Sequence, residues 1–148
     1  MKTLEKRTDI ILESSIDTID KLQKICQLLY DEIDYYNWVG FYFKNGDKDE
    51  LKLGPYVGAA TDHIIIPFGK GICGQVAVSN ETFMVQDVNE QDNYLSCSID
   101  TKSEIVVPIF KNGNNIGQID IDSHKINPFT LDDRTFLENL CEKLGLLL

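Results

Sequence analysis

Apolar residues recur at helical spacing through the first thirty-odd positions of the chain. Ile11, Ile16, Ile19, Leu22, Ile25, Cys26, Leu29 and Ile33 form this series, with Asp and Lys between them. The pattern predicts an amphipathic helix over this stretch. From Asn37 the period changes. NWVGFYFK (37–44) is aromatic and β-branched, and Asn45-Gly46 then offers turn chemistry. ELKLGPYVG (50–58) and HIIIPF (63–68) read as the next two strands, and TFMVQDV (82–88) as a fourth. Between them, GKGICGQVAVSN (69–80) reads as a glycine turn opening a short helix. NEQDNYLSCSIDTK (89–102) has no periodicity. A loop this long in a small domain is uncommon and often functional. SEIVVPIFKN and NIGQIDIDS then predict a hairpin around Asn112-Gly113-Asn114. A final helix follows Pro128. Thr130 is its expected N-cap, Asp132 and Asp133 suit its first turn, and Phe136, Leu137, Leu140, Cys141 and Leu144 line one face.

Most of these strands neighbour one another in sequence. That predicts an α+β fold: an antiparallel sheet of about six strands, with the N- and C-terminal helices packed on one face. No repeat or Pro/Ser-rich linker divides the chain, so residues 1–148 are expected to form a single domain. The apolar faces of the terminal helices serve either the core or the seam of a homodimer.

The chain has 148 residues, of which 43% are apolar, enough for a core without a disulfide or metal staple. The 24 acidic residues outnumber the 14 basic ones, for a net charge of −10, and no segment clusters Lys and Arg. This argues against nucleic acid as a partner. The longest uncharged apolar run, Ile105 to Phe110, is broken by Pro108 and far too short to span a membrane. Charges in MKTLEKRTDIILESS interrupt any signal-peptide core, so a cytoplasmic location is expected. In that reducing compartment, four cysteines are buried, metal-binding or reactive rather than a disulfide framework.

Several residues are candidates for chemistry. GKGICG matches G-x-G-x-x-G, and Asp87 ends the following strand as an acidic residue would in a nucleotide site. The helix after the glycine turn is too short for a normal crossover, however, and no second βαβ unit follows. A glycine-rich turn with backbone N–H groups free to bind an anion is the better reading. Cys73 falls in the first turn of that helix, where the dipole favours a thiolate; as an isolated cysteine it also reads as a small buried hydrophobe. Cys26 and Cys141 lie on apolar helix faces and are expected to be structural. Cys97, in the polar loop, is hard to explain as core, although Asp92 and Asp100 oppose a thiolate there. Local sequence alone ranks Cys73 above Cys97 as a nucleophile.

Asp120 and Asp122 share one face of a strand, about 7 Å apart at Cα, and Glu104 on the neighbouring strand can join them. They are either ordinary surface acids or a functional cluster whose members raise one another's pKa. A metal site is a third option, but His63 and His124 show no ligand spacing. No cofactor is implied. Trp38 and Tyr42, four apart on a strand, share a face as core packing or as a substrate cage.

NWVGFY, LGP, GKGICG, the Cys97 loop, TKSEIVVPI and IGQIDIDS occur in this order. Together they resemble the GAF-domain free methionine-R-sulfoxide reductase family. The resemblance implies reduction of the R-sulfoxide of free methionine by thiol attack, with sulfenic acid formation. It implies Cys97 as the catalytic cysteine, Glu104, Asp120 and Asp122 as the acidic residues, and Cys73 as a resolving or accessory thiol. Trp38, Tyr42 and Asp87 are then taken as substrate-binding. The implied partners are free methionine sulfoxide and a thioredoxin-like reductant. Many members carry a further cysteine ten residues before Cys73, where this chain has His63. A non-catalytic GAF module that binds a small ligand is the rival expectation; a dinucleotide-dependent oxidoreductase ranks third.

Overall fold

The computed structural model describes residues 1–94 and 100–148. Cys97, the catalytic cysteine implied by the resemblance, lies outside the described residues.

Two helices, α1 (Lys2–Glu13) and α2 (Thr18–Glu32), replace the single helix expected over the N-terminal stretch. The break has a local cause. Ser14 leaves the helical conformation, and its hydroxyl donates to the Ile11 carbonyl at 2.6 Å. Serine side chains compete with the helix for backbone partners in this way. Lys21 Nζ then closes the end of α1 by donating to the Leu12 carbonyl at 2.7 Å.

The remaining elements follow the sequence pattern. They are β1 (Trp38–Lys44), β2 (Glu50–Val57), β3 (Ile65–Pro67), α3 (Gly71–Ser79), β4 (Phe83–Val85), a 3₁₀ turn (Val88–Glu90), β5 (Ser103–Lys111), β6 (Asn114–Ser123) and α4 (Leu131–Leu147). The six strands form one antiparallel sheet in the order β3-β2-β1-β6-β5-β4. Asn112 and Gly113 both take positive φ, 52° and 80°, so the β5–β6 hairpin has the two-residue turn its sequence predicts. Thr130 caps α4 through a reciprocal capping box with Asp133. The buried Asp133 carboxylate also accepts hydrogen bonds from the Tyr35 and Tyr36 hydroxyls, at 2.8 and 2.7 Å. These bonds tie the segment between α2 and β1 to the start of α4.

The strand alternation sorts two cores. Val39, Phe41, Ile105, Val107, Ile109, Ile119 and Ile121 face α1, α2 and α4. Trp38, Tyr42 and Val106 face the other way and pack with Ile72, Cys73 and Val76 of α3. The terminal helices therefore share one face, as expected, and α3 covers the opposite one. Both faces of the central strands are buried, so a polar residue on either face is costly unless function retains it. Among the described residues, no helix is long and apolar enough to cross a membrane.

Candidate active site

The α3 face of the sheet carries the acidic residues. Glu104 of β5 sits directly opposite Asp122 of β6, and Asp122 sits opposite Trp38 of β1. Asp120 follows two positions along β6, opposite Val106 on one side and Gly40 on the other. All three carboxylates are buried: Glu104 is 3%, Asp120 0% and Asp122 1% exposed. These are not surface acids, and the sequence alternative of a solvated face is set aside.

Burial is the main cause of the weakened acidity of Glu104 and Asp120. It holds Glu104 well above the usual carboxylate range, and repulsion from Asp120 and Asp122 adds to the effect. Burial also raises Asp120, opposed by hydrogen bonds from Glu104 and Cys73. Cys73 stands at the start of α3 over the cluster, with Sγ 3.8 Å from Glu104 Oε2. Cys73, Glu104 and Asp120 line one small cavity together with His63, Ile66, Lys70, Gly71 and Ile72. Its volume is about 10 Å³, close to that of a single water position. A larger groove of about 910 Å³ runs along α4 and the outer end of β5, and none of the acidic cluster reaches it.

An aromatic wall flanks the acids. Trp38 stacks on Tyr56 and Tyr42, with ring centroids 5.3 and 6.3 Å apart. The Trp38 indole N–H donates to the Ala59 carbonyl at 3.0 Å, and the Tyr42 hydroxyl to the His63 carbonyl at 2.8 Å. Gly40 makes this wall possible. A Cβ there would stand 2.6 Å from the Trp38 ring and 2.8 Å from Tyr56 Cβ. Gly40→Ala is therefore expected to push the indole out of its stack. Overpacking of this kind costs about 1–3 kcal/mol of stability. Thermal melts should show this loss; an unchanged melting temperature would mean that the indole moves aside at no cost.

The GKGICG turn differs from its sequence reading. Its N–H groups are engaged within the protein: Gly69 donates to the Gly74 carbonyl, Lys70 to Pro67, and Gly71 to Asn93 Oδ1 at 2.9 Å. The expectation of free anion-binding N–H groups at these positions is corrected. Asn93 also donates to the Gly69 carbonyl at 2.7 Å and accepts from Gln75 at its own carbonyl. This clamp anchors the described chain before residues 95–99 at the mouth of α3. After them, Lys102 exchanges backbone bonds with Val88 and Ser123, which leads into β5 and Glu104. The dinucleotide reading fails for a related reason: the sheet is antiparallel throughout, and α3 has nine residues.

The other expected residues are accounted for as follows. Cys26 and Cys141 are buried in the helical core, where burial pushes both thiols up. Asp87 caps the 3₁₀ turn, accepting from the Asn89 N–H at 3.0 Å, and does not line the cavity. Gln118 was missed. It is fully buried on the same face of β6 as Asp120, and its side-chain N–H donates to the Cys73 carbonyl at 3.1 Å. The period-two series Gln118, Asp120, Asp122 carried that signal.

Residues 15–148 match a GAF domain family model. The chain is 44% identical over 111 residues to a free methionine-R-sulfoxide reductase of Saccharomyces cerevisiae, covering 74% of this chain and 61% of that protein. It is 31% identical over 141 residues to the Escherichia coli protein of the same name, covering 95% of this chain and 84% of that one. The free methionine-R-sulfoxide reductase of Neisseria meningitidis, solved with its substrate, superposes with a TM-score of 0.88 at 33% identity, over 96% of this chain and 83% of that one.

Proposed function

The chain belongs to the GAF-domain family of free methionine-R-sulfoxide reductases and is an oxidoreductase acting on sulfur, and we propose that it reduces the R-sulfoxide of free methionine with Cys97 as nucleophile and the buried carboxylates as proton source. The observation that carries this reading is the cross-strand pair Glu104–Asp122, with Asp120 beside it, buried under Cys73 and next to a stacked tryptophan. Such a cluster holds a proton above the ordinary carboxylate range, and a sulfoxide oxygen needs a proton before its sulfur accepts a thiol.

Cys97 attacks the sulfoxide sulfur while an acid of the cluster donates to the oxygen. The substrate sulfur is reduced by two electrons and the cysteine sulfur is oxidised by two. The oxygen ends on Cys97 as a sulfenic acid, methionine leaves, and the cluster recovers its proton. Cys73 or an external thiol then condenses with the sulfenic acid and releases water. A mixed disulfide with an external thiol needs one more thiol to release Cys97, and a Cys73–Cys97 disulfide needs two, as a thioredoxin-like dithiol supplies. Trp38 holds the methylthio end, since sulfur packs well against aromatic rings.

The cavity as it stands admits about one water, so entry of an amino acid requires it to widen. Carboxylates buried at its floor favour an ammonium, and the enclosure leaves no exit for a peptide chain. Free L-methionine-R-sulfoxide is therefore expected to be turned over at least about a hundredfold faster than its N-acetyl or peptide-bound form, matching the loss of an essential buried contact. Competition assays with both forms check this. Equal rates would sink the closed-pocket account.

A further inference from the structure

The cavity over the carboxylates has the size and donor set of a single-ion site. Cys73 Sγ, one oxygen of Glu104 and one oxygen of Asp120 all lie within 4.8 Å of one another, and all three residues are buried. The Cys73 Sγ to Glu104 Oε2 distance of 3.8 Å is close to the roughly 3.6 Å that separates sulfur and oxygen ligands on a tetrahedral zinc. Asp120 supplies an independent pointer. It is fully buried and lines the cavity, yet among the described residues no backbone N–H, hydroxyl or amide donates to either of its oxygens. The hydrogens within its reach are the titratable ones of Glu104 and Cys73. Those are the protons a metal replaces. The volume of about 10 Å³ accepts an ion without rearrangement, where an amino acid needs the pocket to open.

We propose that this cavity binds a thiophilic divalent cation of the zinc type through Cys73, Glu104 and Asp120, with water as the fourth ligand. Binding releases the thiol proton and a carboxyl proton to solvent, and no electron moves. The donor set of one thiolate and two carboxylates favours zinc, cobalt(II) or cadmium over magnesium, which keeps its waters and avoids sulfur. The ion stands where the acid proton is needed. Its consequence for catalysis, a metal-blocked enzyme, rests on the proposed function; the binding site does not.

Cobalt(II) added to the fully reduced protein tests the site directly, because a thiolate-to-cobalt band in the near ultraviolet reports the sulfur ligand and visible intensity reports tetrahedral geometry. The wild type is expected to develop both at stoichiometric metal, and zinc should displace them. Cys73→Ser should lose the thiolate band, and Asp120→Asn should weaken binding at least about tenfold, as loss of a supporting or direct ligand does. Cys97→Ser should keep the band, as should Cys26→Ser. Absence of the band in wild type overturns the proposal, as does a band that survives Cys73→Ser or disappears in Cys97→Ser. A protein that binds cobalt as described but releases no methionine from the sulfoxide would leave this site standing and remove the proposed reaction.

Discussion

Glu104→Gln is expected to slow sulfoxide reduction by about 10²–10⁴-fold at neutral pH, the usual range for loss of a general acid, and to make the protein more stable. The two effects share one cause. Burial and the neighbouring Asp120 and Asp122 carboxylates hold Glu104 well above the ordinary carboxylate range. The folded protein keeps the proton over a pH window in which the unfolded chain has lost it. Stability from that proton is fully present below the ordinary carboxylate pKa and is lost as pH rises towards the raised one. Each unit of separation costs about 1.4 kcal/mol once the pH exceeds both values. Glutamine has no proton to lose and can still donate to Asp120. The variant should therefore melt above wild type at neutral pH, with the difference vanishing on acidification. Melting curves against pH, run beside kcat and KM, check both halves. A raised KM with unchanged kcat would deny Glu104 the acid role. A melting temperature below wild type at neutral pH would deny the strain of its burial.

Cys97→Ser is expected to abolish turnover even with an excess of small dithiol, because a hydroxyl neither attacks sulfur usefully nor forms the sulfenic acid. Cys73→Ser should behave differently. Its first turnover survives, and only recycling through an intramolecular disulfide is lost, so a dithiol restores steady-state activity. Among the described residues, Cys73 is the thiol that lines the cavity over the acids. Steady-state rates with and without dithiol separate the two roles. Turnover by Cys97→Ser that vanishes in Cys73→Ser would exchange them and restore the ranking that local sequence favours.

Much of the fold could be read from periodicity because each element keeps one period along its length. The β5–β6 hairpin, the Thr130 cap and the paired Asp120 and Asp122 are of this kind. What periodicity cannot see is whether the far face of a strand is covered. Alternation put Asp120 and Asp122 on one side, but only α3 folded over that side makes them buried acids rather than solvated ones. The same blindness concealed Gln118. It also hid Gly40, whose missing side chain matters only because the Trp38 ring lies across it. The N-terminal helix split where Ser14 turns its hydroxyl back on Ile11, a local competition that apolar spacing does not register. The glycine turn misled in the other direction. Its N–H groups looked available until Asn93, far along the chain, filled one of them.

The most direct measurement is a single turnover without any reductant: fully reduced wild-type protein, free L-methionine-R-sulfoxide, and quantification of methionine with the intact mass of the protein. The account predicts methionine in stoichiometric amount with the chain, and one oxygen gained at Cys97 or a disulfide formed from it. No methionine, from a protein that is folded and fully reduced, would contradict the account and leave the fold as a ligand-binding module.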